Sequence, residues 1–101
     1  MYRLTATTTR PDTSAEFWLK ASPPAYKALA QKAIADGVML AFADSYSADG
    51  LTMTLSVDFP SKASFDAWKK DYDVAAYDFL VEKNKYEKQH QHVEVRAVAE
   101  V

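Results

Sequence analysis

Leu51, Met53, Leu55, Val57 and Phe59 alternate without a break with Thr52, Thr54, Ser56 and Asp58. Successive side chains of an extended chain point to opposite sides, so this run reads as a strand with one apolar and one hydroxyl-rich face. Ahead of it, Val38-Met39-Leu40-Ala41-Phe42-Ala43 is apolar on both faces. Ser47-Ala48-Asp49-Gly50 lies between the two runs, and Asp-Gly is among the strongest turn signals known for joining antiparallel strands. The segment from Val38 to Phe59 is therefore expected to be a β-hairpin, and the remaining elements are expected to pack on it.

Taken in order, Tyr2, Leu4 and Ala6 alternate with Arg3, Thr5 and Thr7, a first strand that ends at Arg10-Pro11. Thr13-Ser14-Ala15-Glu16 has capping-box spacing, with Thr13 as the cap of a short helix that holds Phe17, Trp18 and Leu19. Pro23-Pro24 breaks that helix, since proline lacks the amide hydrogen that a helix interior needs. A second helix is expected from a Ser22 cap with Pro23 in its first position, ending at Asp36-Gly37. Its apolar stripe is Tyr26, Leu29, Ala30, Ala33 and Ile34. After the hairpin, Ser61 caps a long helix in which Phe65, Trp68, Tyr72, Ala76, Phe79, Leu80 and Lys83 share a stripe, with a kink expected at Asp71-Tyr72-Asp73. A last strand runs from Val93 to Val101.

The order βαββαβ, with right-handed crossovers, gives a four-stranded antiparallel sheet with the helices on one face, the ferredoxin-like α+β fold. At 101 residues the chain is expected to form one domain, residues 1–101, with a core in which Leu29, Ile34, Trp68 and Phe79 meet the sheet. A formal net charge of −2 supplies no general attraction to nucleic acid or to an anionic membrane. The absence of cysteine removes disulfides, thiolate catalysis and cysteine-ligated metals from consideration. Neither a signal-peptide core nor an apolar run near the ~20 residues of a membrane span is visible, so the expected location is the cytoplasm.

The face of the sheet away from the helices is expected to carry Arg3, Thr5, Thr7, Thr52, Thr54, Ser56, Asp58, Glu94 and Arg96, with Met39, Ala41, Ala43 and Ser45 from the second strand. RNA-binding modules of this topology place stacking aromatics there. Here the central strands offer hydroxyls, which argues against RNA. The face is either solvated or closed against the same face of a second copy. Met39, Ala41, Ala43 and Val98 favour the homodimer or higher oligomer.

The stretch Phe59-Pro60-Ser61-Lys62-Ala63-Ser64-Phe65-Asp66-Ala67-Trp68, with Asp71, Tyr72, the helix through Tyr86 and His90-Gln91-His92-Val93, resembles the second half of the dimeric α+β-barrel superfamily, which includes the antibiotic-biosynthesis-monooxygenase-like domains. The resemblance covers roughly the last 40% of the chain and rests on structural motifs. It implies a dimer whose sheets close into a barrel, with a small-molecule pocket between sheet and helices. The prolines at 23 and 24 depart from the pattern, and no catalytic set carries over residue by residue.

Candidate chemistry is sparse. In an extended chain His90, His92 and Glu94 would point the same way, as a two-histidine, one-carboxylate metal site does. His90 falls in the loop, however, and Arg96 brings a positive charge to the same face, so a polar loop entering a strand is the expected reading and no metal is assigned. Phe42, Phe65, Trp68 and Tyr72 either fill the core or, with His92, wall a pocket for an apolar or aromatic ligand. Asp44, Asp49 and Asp58 fit local turn hydrogen bonding. No phosphate loop, nucleophile elbow or metalloprotease signature is present, and no cofactor is implied. The leading expectation is a non-catalytic homo-oligomer, a small-molecule binder or an assembly component; a structural subunit of a larger assembly such as a virus particle is a third possibility that leaves no signature in the sequence. The alternative is a cofactor-independent monooxygenase-like enzyme on an aromatic or polyketide-like substrate, which requires a cavity of several hundred Å3 near Trp68.

Overall fold

The structure, a computed structural model, describes the backbone of residues 1–75 and 77–101 and the side chains of residues 1–71 and 77–101. Four strands, β1 (Tyr2–Thr9), β2 (Ala41–Tyr46), β3 (Thr52–Phe59) and β4 (Val93–Glu100), form one antiparallel sheet in the order β2-β3-β1-β4. The helices are α1 (Trp18–Ala21), α2 (Pro24–Ala35), α3 (Lys62–Ala75) and α4 (Tyr77–Gln89). This is the ferredoxin-like fold. Among the described residues no helix is long and apolar enough to cross a membrane.

The hairpin forms where the alternation requires it. Gly50 takes the left-handed conformation (φ 73°), and the Asp49 carboxylate accepts hydrogen bonds from the Leu51 amide and the Ser47 hydroxyl. The second strand starts later than its apolar run suggests. Val38 to Leu40 are a lead-in whose amides at Val38 and Met39 bond to the Ala33 carbonyl at the end of α2. Met39 is thereby turned into the core at 2% exposure and does not lie on the open face.

The first helical region also differs from expectation. Thr13 caps nothing; Asp12 instead accepts bonds from the Ser14 amide and hydroxyl, and Glu16 accepts one from the Phe17 amide. Ser22 closes α1, its hydroxyl donating to the Leu19 carbonyl at 3.0 Å, and does not open α2. α2 begins one residue later than read, at Pro24, because Pro24 forces the preceding Pro23 out of helical geometry (φ −58°, ψ 148°). It ends as expected at Gly37, in the left-handed conformation (φ 76°), with the Gly37 amide on the Ile34 carbonyl and the Val38 amide on that of Ala33. Ser61 caps α3 through a bond from the Ser64 amide at 3.2 Å, and the backbone stays helical through Asp71-Tyr72-Asp73 to Ala75.

Tyr2, Ala30, Ala33, Met39, Val57 and Phe59 form the main core, with the Phe65 ring 5.2 Å from Tyr2 and 5.3 Å from Phe59. Ile34, expected inside, is 40% exposed; the inner line of α2 runs through Ala30 and Ala33. A second cluster of Phe17, Leu19 and Met53 sits at the other end of the sheet. Arg10 closes it. Its side chain bonds the Gly50 carbonyl at 2.7 Å and the Ala15 carbonyl at 2.8 Å, and its guanidinium lies 4.3 Å from the Phe17 ring centre.

The register of β4 on β1 decides the two faces. Leu4 pairs with Val98, Ala6 with Arg96 and Thr8 with Glu94, while Thr5 pairs with Ala97 and Thr7 with Val95. Opposed residues share a face, and Leu4, Ala6 and Thr8 belong to the helix side. Glu94, Arg96 and Val98 therefore lie on the helix side and not, as expected from sequence, on the open face. The open face receives Val93, Val95, Ala97 and Ala99 instead, with Ala41 and Ala43 at the opposite edge. Arg3 and Asp58 form an ion pair across β1 and β3 on this face at 2.6 Å, so Asp58 serves a cross-strand partner and not a local turn.

Candidate functional site

A cavity of about 510 Å3 lies between the sheet and the helical layer. Leu4, Leu55, Val57 and Phe42 form its floor; Tyr26 and Ala30 of α2, Phe65 and Trp68 of α3, and Leu80 of α4 form its walls. Its origin is geometric. The buried positions of α2 are the small Ala30 and Ala33, and β4 turns Glu94 and Arg96 rather than bulky apolar residues to the helix side, so little side-chain volume enters this space from either element.

Met39, Ala97 and Val98 also line it, and its polar lining residues are Lys69, Lys83, Asn84, Glu94 and Arg96. Lys83 is the pivot. Its ammonium contacts Glu87 Oε1 at 2.9 Å, one turn along α4, and Glu94 Oε2 at 2.8 Å on β4. Glu94 Oε1 accepts from Arg96 Nε at 2.5 Å, so both oxygens of Glu94 are engaged. The side chains of Lys83 and Glu87 are 9% and 10% exposed, and a buried charge is tolerated only when paired and hydrogen-bonded in this way. Burial disfavours the charged form of Lys83, but the bonds to Glu94 and Glu87 outweigh it and hold the amine above the ordinary lysine range. Burial likewise opposes ionisation of Glu94, and Lys83 with Arg96 overcomes it, holding the carboxyl below the ordinary range. On the far side of this cluster Lys83, Asn84, Glu87, Lys88, Gln91 and His92 border a second hollow of about 520 Å3, polar and widely open to solvent.

Of the residues singled out from sequence, Phe42, Phe65 and Trp68 come together on the cavity. The side chain of Tyr72 lies outside the described residues. His92 is elsewhere: it is buried beside Phe17 and Tyr86, with ring centres 5.8 Å away in each case, and borders the polar hollow. Its Nδ1 is buried without a hydrogen-bond partner, and burial, then the charges of His90 and Arg10, lower its pKa although Asp12 acts the other way. Glu94 turns toward Lys83 and not toward the histidines, and among the described residues no group of three histidine, aspartate or glutamate side chains is placed to hold a metal ion. Lys83, Glu87 and Glu94 were not anticipated as a group. The available signal was Lys83 itself, a cation in the apolar stripe of a helix with a carboxylate at i+4.

No family model matches the chain, and no curated protein matches it. Among solved structures it is similar to a dimeric ferredoxin-like protein from an uncultured marine organism, at 11% identity and a TM-score of 0.68, over 99% of this chain and 94% of that one.

Proposed function

We propose that the protein is a homodimeric, non-catalytic binder of a small apolar or aromatic molecule, which it holds between α2, α3, α4 and the sheet. The cavity carries this reading: its volume and its aromatic and aliphatic walls, with a few clustered polar groups, are those of ordinary small-molecule sites. The state of the polar groups speaks against acid–base or nucleophilic chemistry. Lys83 is held as an ammonium and Glu94 as a carboxylate with both oxygens engaged, so neither offers a free base near neutral pH. The dimeric state of the similar structure and the exposed Val93 and Val95 at the β4 margin of the open face support the pairing.

A neutral, environment-sensitive dye such as N-phenyl-1-naphthylamine tests the site. It should bind saturably, one molecule per chain. Leu80→Trp, which fills the cavity from α4, should weaken that binding at least about tenfold without changing the oligomeric state. Unsaturable binding, or an unaffected L80W variant, would sink the reading.

The dimeric-barrel resemblance and the same cavity support a second reading, a cofactor-independent monooxygenase-like enzyme on an aromatic or polyketide-like substrate. Oxygen uptake in the presence of bound polyhydroxylated aromatics separates the two: steady consumption supports the enzyme, and none supports the binder.

A further inference from the structure

The charges around the cavity specify more than an apolar guest. Among the described residues three cations, Lys69, Lys83 and Arg96, stand on its wall against one carboxylate, Glu94. Glu87 neutralises Lys83 from behind, so Lys83, Arg96, Glu87 and Glu94 together balance. Lys69 is left over. It is exposed, lines the cavity from α3 next to Trp68, and among the described residues has no ion-pair partner. The exposed lining residues Lys69, Asn84, Arg96 and Val98 mark the mouth, which opens over the edge strand β4, while Phe42, Phe65 and Trp68 lie deeper.

A guest that fills this space places its ring against the aromatics and its polar end at a mouth where the described residues leave one positive charge in excess. Desolvating an unpaired ligand charge is costly, so the sign of that excess selects among polar ends: an anion gains a partner, a neutral group gains none, and a cation is repelled. We propose that the cavity is specific for an amphipathic anion, an aromatic or alicyclic ring bearing a single carboxylate, with the ring against Trp68 and the carboxylate at Lys69. This rests on the binding reading above and names its ligand class.

Three probes that share one ring decide it: 2-naphthoate, 2-naphthamide and 2-naphthylmethylammonium, titrated calorimetrically against the whole chain, with the site verified by the NMR shift of the Trp68 indole N–H. The carboxylate should bind about fivefold tighter than the amide, the size of an exposed charge contact, and the ammonium weakest. The advantage should shrink in about 0.5 M salt, where exposed charges are screened. Lys69→Glu, an exposed change that leaves the core intact, should abolish or reverse the order while the amide binds as before. Equal binding of acid and amide, or an acid preference that survives in K69E, overturns this inference and leaves the apolar site standing. Failure of all three probes to bind overturns both.

Discussion

At the scale of single residues, Lys83 and Glu94 fix the border between the apolar cavity and the polar hollow. Removing one partner of a buried pair leaves the other charge uncompensated. Glu94→Gln is therefore expected to destabilise the fold by about 2 to 3 kcal/mol at neutral pH, less than loss of a sole partner because Glu87 still holds Lys83. The pH dependence has a definite sign. A carboxyl whose folded-state pKa is depressed contributes stability that is complete above its ordinary value and is lost as pH falls through the depressed one. The gap between the native protein and E94Q should thus narrow with acidification below the ordinary glutamate range, read as urea midpoints across pH 3 to 7. A gap constant over that range would show that the ionised pair is not what the mutation removes.

At the scale of elements, the chain ends its helices with paired backbone bonds, and one of these ends carries a cost. α4 closes like α2: the Gln91 amide reaches the Lys88 carbonyl and the His92 amide that of Glu87, at 3.3 and 2.8 Å. The left-handed position is filled by Gln91 (φ 59°) where α2 uses Gly37. A side chain in that conformation costs about 1 to 2 kcal/mol, which glycine avoids at the expense of some unfolded-state entropy. Gln91→Gly is accordingly expected to stabilise the protein by about 0.5 to 1 kcal/mol, raising the thermal midpoint by a few degrees. A lowered midpoint would mean that the Gln91 side chain does something the backbone geometry does not reveal. This turn has a further consequence, because it sends His92 inward under Phe17 and Tyr86 rather than along the strand with Glu94.

At the scale of the molecule, the open face of the sheet has a hydroxyl-rich centre, with Thr5, Thr7, Thr52 and Thr54, and an apolar margin on β4. Val93 and Val95 are 58% and 66% exposed, and β4 is an edge strand eight residues long. Exposed, unbroken edges and apolar margins are features that proteins usually cover. If two copies meet through this face, Val95→Glu should turn dimers into monomers in light scattering over a range of concentrations while the far-UV spectrum is unchanged. A V95E protein that remains dimeric places the contact elsewhere. A native chain that is monomeric throughout removes the dimer.

The sequence by itself determined the order of elements, the hairpin with its Asp49-Gly50 turn, the Gly37 stop and the Ser61 cap, because each depends on side chains and backbone within a few residues of one another. The start of α2 was expected one residue too early, at Pro23, although Pro24 constrains the residue before it. The tertiary structure alone decided which way β4 faces. Its alternating residues are valine and alanine on one side, and glutamate, arginine, valine and glutamate on the other. By hydrophobicity the first side belongs in the core, yet pairing with β1 sends the charged side inward, where Lys83 of α4 waits for Glu94. Register is a relation between segments some ninety residues apart, and a one-residue slip exchanges the faces, so local pattern does not contain it. The cavity has the same origin. Phe42, Phe65 and Trp68 are aromatic at core spacing in either case, and it is the packing of the helices on a β4 with its charged side inward that leaves a cavity beside them.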